Sequence, residues 1–151
     1  MKATIDSHRF ADRIIPSELI DEVSDTIKQV GVKIRHGAAP EIRKAITNGL
    51  IARGWSDRVA LSAQSDISIT SVKQRVGLCL QLGNMARMYA DLLKLQTLFL
   101  KDTIVAGVLI LATADCAKVL GSNLANSGRL LNEMAIYTPV ITAPLLIVSM
   151  E

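Results

Sequence analysis

With 151 residues, half of them apolar, and a formal charge of +3, the chain is long enough to bury roughly 70% of its unfolded surface in a single domain, residues 1–151, without a metal or disulfide staple. Aromatic residues make up only 3%, so the core is expected to be aliphatic, and stacking platforms for single-stranded nucleic acid are not expected. The longest uncharged apolar stretch, Thr103 to Ala114, falls short of the roughly 20 residues a membrane span requires.

The opening segment, Met1 to Arg9, lacks the continuous apolar core of a signal peptide. Cys79 and Cys116 sit in apolar surroundings without CxxC spacing, so they read as core thiols in a reducing cytoplasm. Ser17 then precedes Glu18, with apolar residues at Leu19, Ile20, Val23, Ile27 and Val30. This pattern predicts a capped amphipathic helix ending at Gly31. A second helix is predicted from Pro40-Glu41, with Ile42, Ala45, Ile46, Leu50 and Ile51 on one side, stopping near Gly54. From Lys28 to Arg58 the chain carries Lys28, Lys33, Arg35, Arg43, Lys44, Arg53 and Arg58 against only Glu41 and Asp57. Such a surface attracts a polyanion and releases its counterions, or it is simply a solvated basic helix face.

Beyond Trp55 the pattern predicts a strand at Val59-Ala60-Leu61, a polar turn through Gln64-Ser65-Asp66, and alternation running into Val76 to Leu82. Asn84 to about Lys101 returns to helical spacing, Ile104 to Leu111 suits a strand covered on both faces, Ser127 to Ile136 a helix, and Ala143 to Val148 a last strand. Helices interleaved with strands in this order predict an α/β fold, a central mixed sheet flanked by helices.

In Val76-Gly77-Leu78-Cys79-Leu80-Gln81-Leu82-Gly83-Asn84, the residues Gly77, Cys79, Gln81 and Gly83 share one side of the strand and the leucines the other. This strand, with the Ala11-Asp12 pair, the surroundings of Trp55, and the stretches Ile67 to Asn84 and Ala106 to Ser149, resembles the BglII/BstYI family of type II restriction endonucleases, members of the PD-(D/E)XK superfamily. The resemblance implies a restriction-endonuclease-like fold over nearly the whole chain. In that family an Asp lies nine residues before a Glu-x-Gln, and the two carboxylates with a backbone carbonyl hold a divalent cation that activates water. The Gln position is Gln81, but the Glu position is Cys79 and the Asp position Thr70. A thiol and a hydroxyl do not supply the charge Mg²⁺ needs, and a softer Zn²⁺ at Cys79 lacks partners, His8 and His36 having no suitable spacing.

The resemblance also implies base-reading positions at Gly83-Asn84 and Ser122-Asn123, since Asn pairs bidentately with adenine. Read from the residues alone, Asn84 is equally a helix cap and Ser122-Asn123 an ordinary turn. The family dimerises through the region of Met85 to Lys101, and its nucleases continue past the position of Glu151 into strands that help encircle DNA, which implies weaker DNA contacts here. The expectation is therefore a cleavage-deficient relative of the site-specific deoxyribonucleases, without a cofactor, retaining double-stranded DNA binding in defence or regulation. The alternative is a pseudonuclease that binds a protein partner or itself, as an inhibitor or assembly subunit. A third reading, an Mg²⁺ nuclease with a displaced site, requires Asp66 to reach Gln81, with Glu41 assisting.

Overall fold

The computed structural model describes residues 1–151. Three strands form the centre of a five-stranded sheet: β5 (Val76–Gln81), β6 (Ala106–Ala112) and β7 (Leu145–Met150). They run parallel, with Leu78 opposite Val108 and Val108 opposite Leu146. Every residue in them is buried, as their unbroken apolar runs require when helices cover both faces of a parallel sheet. Two antiparallel strands close the edges, β1 (Ala3–His8) against β7 and β4 (Ser71–Lys73) against β5, giving the order β1-β7-β6-β5-β4. The architecture is thus the mixed sheet flanked by helices that the sequence predicts.

The alternation of side chains sorts the core into two layers. Val76, Leu78, Leu80 and Leu82 pack with α1 (Ala11–Ile14), α2 (Ser17–Lys28), α3 (Ala39–Ala52) and α5 (Ala114–Leu120). Cys79 lies on the other face, under α4 (Met85–Leu100) and α6 (Ser127–Tyr137). On that second face Gly77 and Gly107 stand opposite one another across β5 and β6. A Cβ at Gly107 would lie 2.7 Å from Leu145 Cδ2 and 3.1 Å from Leu95 Cδ1, and one at Gly77 would lie 3.2 Å from Leu95 Cδ2. The glycine pair therefore seats Leu95, and with it α4, close against the sheet.

Several expectations need correction. Ser17 is the first residue of α2 and does not cap it: Pro16 holds the N-cap position without a side-chain hydrogen bond, and the helix ends at Lys28, ahead of Gly31. The alternating segment before Val76 is broken into a separate hairpin of β2 (Val59–Ser62) and β3 (Ser65–Ile69), followed by β4. β4 turns into β5 through Gln74 and Arg75, both in the left-handed region at φ 48° and 61°. Two such residues make the tight hairpin turn whose twist suits paired strands. The sequence lacks the Asn-Gly or Asp-Gly that normally marks this turn.

The edge strand β1 carries Ile5, Asp6 and Ser7 and is largely exposed, so no apolar alternation announces it. The short α5 is capped by Thr113, whose hydroxyl accepts from the Cys116 N–H at 3.3 Å. The last strand starts at Leu145, two residues after Ala143: Pro144 has no N–H to donate, and its carbonyl accepts the first ladder bond, from Gly107 N.

Candidate nucleic-acid interface

A cleft of about 470 Å³ opens at the carboxyl end of β5. It brings together Thr70, Cys79 and Gln81, the three positions the resemblance singles out, and adds residues from α3, the β3 hairpin and α4. Thr70 carries a structural hydrogen bond. Its hydroxyl accepts from Leu80 N at 3.0 Å, bracing β5 beside Cys79. Burial, and after it the negative charge of Asp91, push the Cys79 thiol far above its ordinary range, so it is held as a neutral S–H.

The Gln81 side chain, 6% exposed, is fixed at both ends. Its Oε1 accepts from Gly83 N at 2.9 Å and its Nε2 donates to Asp91 Oδ2 at 2.7 Å. The reverse orientation of the amide would set an oxygen against a carboxylate, so the network determines which atom is which. Asp91 is the carboxylate that meets Gln81, and it comes from α4. Its other oxygen accepts from Lys94 Nζ at 2.7 Å.

No motif marks Asp91, but a signal for it exists in the sequence. It falls three residues after Met88 and four before Leu95, on the buried stripe of α4. An acid in the core phase of an amphipathic helix must find a partner, and Lys94 follows three residues later.

The rest of the lining is basic. Arg43 on α3 donates from Nη1 to the Leu80 carbonyl at 2.8 Å, which aims its guanidinium at the end of β5. Burial lowers its pKa from the ordinary guanidinium value, Asp91 raises it and Arg87 lowers it, yet a guanidinium remains charged at any physiological pH. Arg58 donates to Ser68 Oγ at 2.5 Å and to the Asp66 carbonyl at 2.6 Å, which holds it along β3. Arg87, one turn into α4, completes the set. Arg43, Arg58, Arg87 and Lys94 thus face two acids, Asp57 and Asp91.

The remaining candidates fall outside the cleft or flank it. Asp66 is exposed on β3 and does not line the cleft, although Ser68 and Thr70 do. Glu41 is engaged with Arg35 at 2.5 Å on the exposed start of α3. His8 Nε2 lies 2.9 Å from the Ile141 carbonyl, and His36 is exposed.

Gly83, Asn84, Ser122 and Asn123 are brought side by side: Met85 N donates to the Asn123 carbonyl at 3.0 Å, Ala125 N to the Gly83 carbonyl at 2.8 Å, and Asn84 bridges Leu124. Asn84 also caps α4, accepting from Ala86 N at 2.8 Å. Asn84, Ser122 and Asn123 are all exposed, and Arg87 N donates to the Asn84 carbonyl at 3.0 Å.

The donors present do not fit a divalent cation. Nowhere do three or more His, Cys, Asp or Glu side chains converge. In the cleft, Asp91 already carries an ammonium and an amide and Asp57 accepts from Arg58 N at 2.7 Å, while the Gln81 carbonyl and Thr70 hydroxyl accept backbone N–H groups. Hard cations need several anionic or carbonyl oxygens free to turn toward them. No helix is long and apolar enough to cross a membrane.

No curated protein sequence matches the chain. Among solved structures it is similar to the restriction endonuclease BglII complexed with a DNA 16-mer, with a TM-score of 0.83 at 15% identity over 99% of this chain and 76% of that one. It is also similar to free BglII, with a TM-score of 0.74 at 18% identity over 100% and 80% of the two chains. A family model described as restriction endonuclease BglII/BglIII matches residues 3–150. That match runs from the first strand of the sheet to the last and takes in every wall of the cleft, so the chain belongs to the BglII/BglIII restriction endonuclease family.

Proposed function

We propose that this protein binds double-stranded DNA through the cleft at the end of β5 and does not cut it, acting in defence or regulation. The observation that carries the reading is the charge of the cleft. Where a cleaving enzyme needs anionic oxygens to hold its metal, this chain places Arg43, Arg58, Arg87 and Lys94 around the neutral Thr70 and Cys79. Cations on rigid elements suit phosphate oxygens, which position a duplex without reading it. The exposed side chains of Asn84, Ser122 and Asn123 offer amide and hydroxyl groups to base edges. Crystallographic complex formation with DNA by BglII supports the same reading by kinship.

Fluorescence anisotropy with a labelled mixed-sequence duplex tests the binding, and plasmid incubation with Mg²⁺ or Mn²⁺ tests the chemistry. The expected result is duplex binding at low salt together with uncut plasmid. Absence of affinity at low salt would overturn the first half of the proposal, and nicked or linear plasmid the second.

A further inference from the structure

The misfit between the cleft and a divalent cation has a positive counterpart on α4. Asp91 and Lys94 reach the cleft from positions one turn apart, and their contact is 2.7 Å. Both line the cleft, but the Asp91 side chain is only 6% exposed while that of Lys94 is 23% exposed, so of the two the cation is the more open to solvent. The second Asp91 oxygen is taken by Gln81 Nε2, so the carboxylate is fixed from both sides and Lys94 is held over it. An ammonium carries three N–H donors, of which Asp91 takes one.

We propose that Lys94 is the resident cation of this cleft: held in place by Asp91 on its inner side and open to a phosphate oxygen on its outer side, it supplies the positive charge that a divalent ion supplies in a cleaving site. This inference rests on the DNA-binding reading and makes it specific. A divalent ion entering the cleft has to displace the ammonium from Asp91 and then finds Gln81 and Thr70 already committed to backbone donors. The covalently attached cation has no such cost. It adds affinity for phosphate, but it generates no metal-bound nucleophile, in keeping with binding uncoupled from cleavage.

The test compares binding of the full chain to a labelled mixed-sequence duplex in EDTA and in Ca²⁺ at matched ionic strength. Wild-type Kd is expected to be the same in both buffers within about twofold. Lys94→Met, which keeps most of the side-chain volume, is expected to bind about tenfold more weakly in EDTA, whereas Lys94→Arg stays close to wild type. Wild-type binding strengthened about tenfold or more by Ca²⁺, or Lys94→Met binding as tightly as wild type, overturns the inference and leaves DNA binding standing. No binding in either buffer overturns both. The wild-type comparison involves no variant, so a Lys94→Met chain that fails to fold does not remove the test.

Discussion

Asp91 is 4% exposed, and a carboxylate so deeply placed persists only because each of its oxygens has a donor, Lys94 Nζ on Oδ1 and Gln81 Nε2 on Oδ2. Gln81 is the hinge of this arrangement, since its other end receives the Gly83 N–H. Replacing it by Leu keeps the approximate volume and removes both interactions, stranding a charged acceptor and a backbone donor. Gln81→Leu is therefore expected to lose about 3 kcal/mol in urea unfolding, more than an ordinary surface change. A loss below about 0.5 kcal/mol would show that Asp91 does not depend on this partner. The same surroundings account for Cys79. A carboxylate at that position would set a second anion beside Asp91, and the neutral thiol avoids that repulsion.

Among the elements, α2 is tied to the β4 edge through one acid. Glu22 accepts from Trp55 Nε1 at 2.9 Å and from Lys73 Nζ at 2.7 and 2.9 Å, while Lys73 also donates to the Arg53 carbonyl. Burial alone would raise the Glu22 pKa, but the hydrogen bonds from Lys73 and Trp55 and the charges of Lys73 and Arg53 outweigh it, so the carboxyl titrates below its ordinary 4.5. A group whose folded pKa is depressed binds fewer protons folded than unfolded. Its contribution is complete above pH 4.5 and is lost as pH falls below that value and through the folded pKa. Thermal unfolding across pH 3 to 7 should show Glu22→Gln destabilised by about 2 kcal/mol near neutrality and converging on wild type at the acid end. Parallel curves at all pH values would mean that the network works by shape and not by charge.

At the scale of the whole molecule, what the sequence discloses follows the reach of each signal. The stripes of α2, α3, α4 and α6 and the apolar runs of β5, β6 and β7 repeat within a few residues, and these elements are legible. Edge strand β1 is polar, and the Gln74-Arg75 turn uses residues that rarely adopt left-handed conformations, so neither shows a local pattern. Thr70, Cys79 and Gln81, the positions singled out by the resemblance, all line the cleft, and strand alternation fixes that Cys79 and Gln81 share a face. The charge of the cleft is not legible in the same way. Arg43, Arg58, Arg87 and Lys94 arrive from three separate segments, and only the packing of α3, the β3 hairpin and α4 around β5 makes them one surface.

The basic stretch from Lys28 to Arg58 divides accordingly. Lys28 and Arg35 are paired with Asp25 and Glu41 on the exterior, while Arg43 and Arg58 enter the cleft. Salt dependence of DNA binding separates these two groups. Each phosphate neutralised contributes about −0.9 to the slope of log K against log salt, so four cleft cations give a slope of about −3.6. Arg87→Ala and Arg58→Ala should each flatten it by about 1, whereas Arg35→Ala, at an ion pair outside the cleft, should leave it unchanged. An equal effect of Arg35→Ala would place the duplex along the outer face of α3 instead of in the cleft.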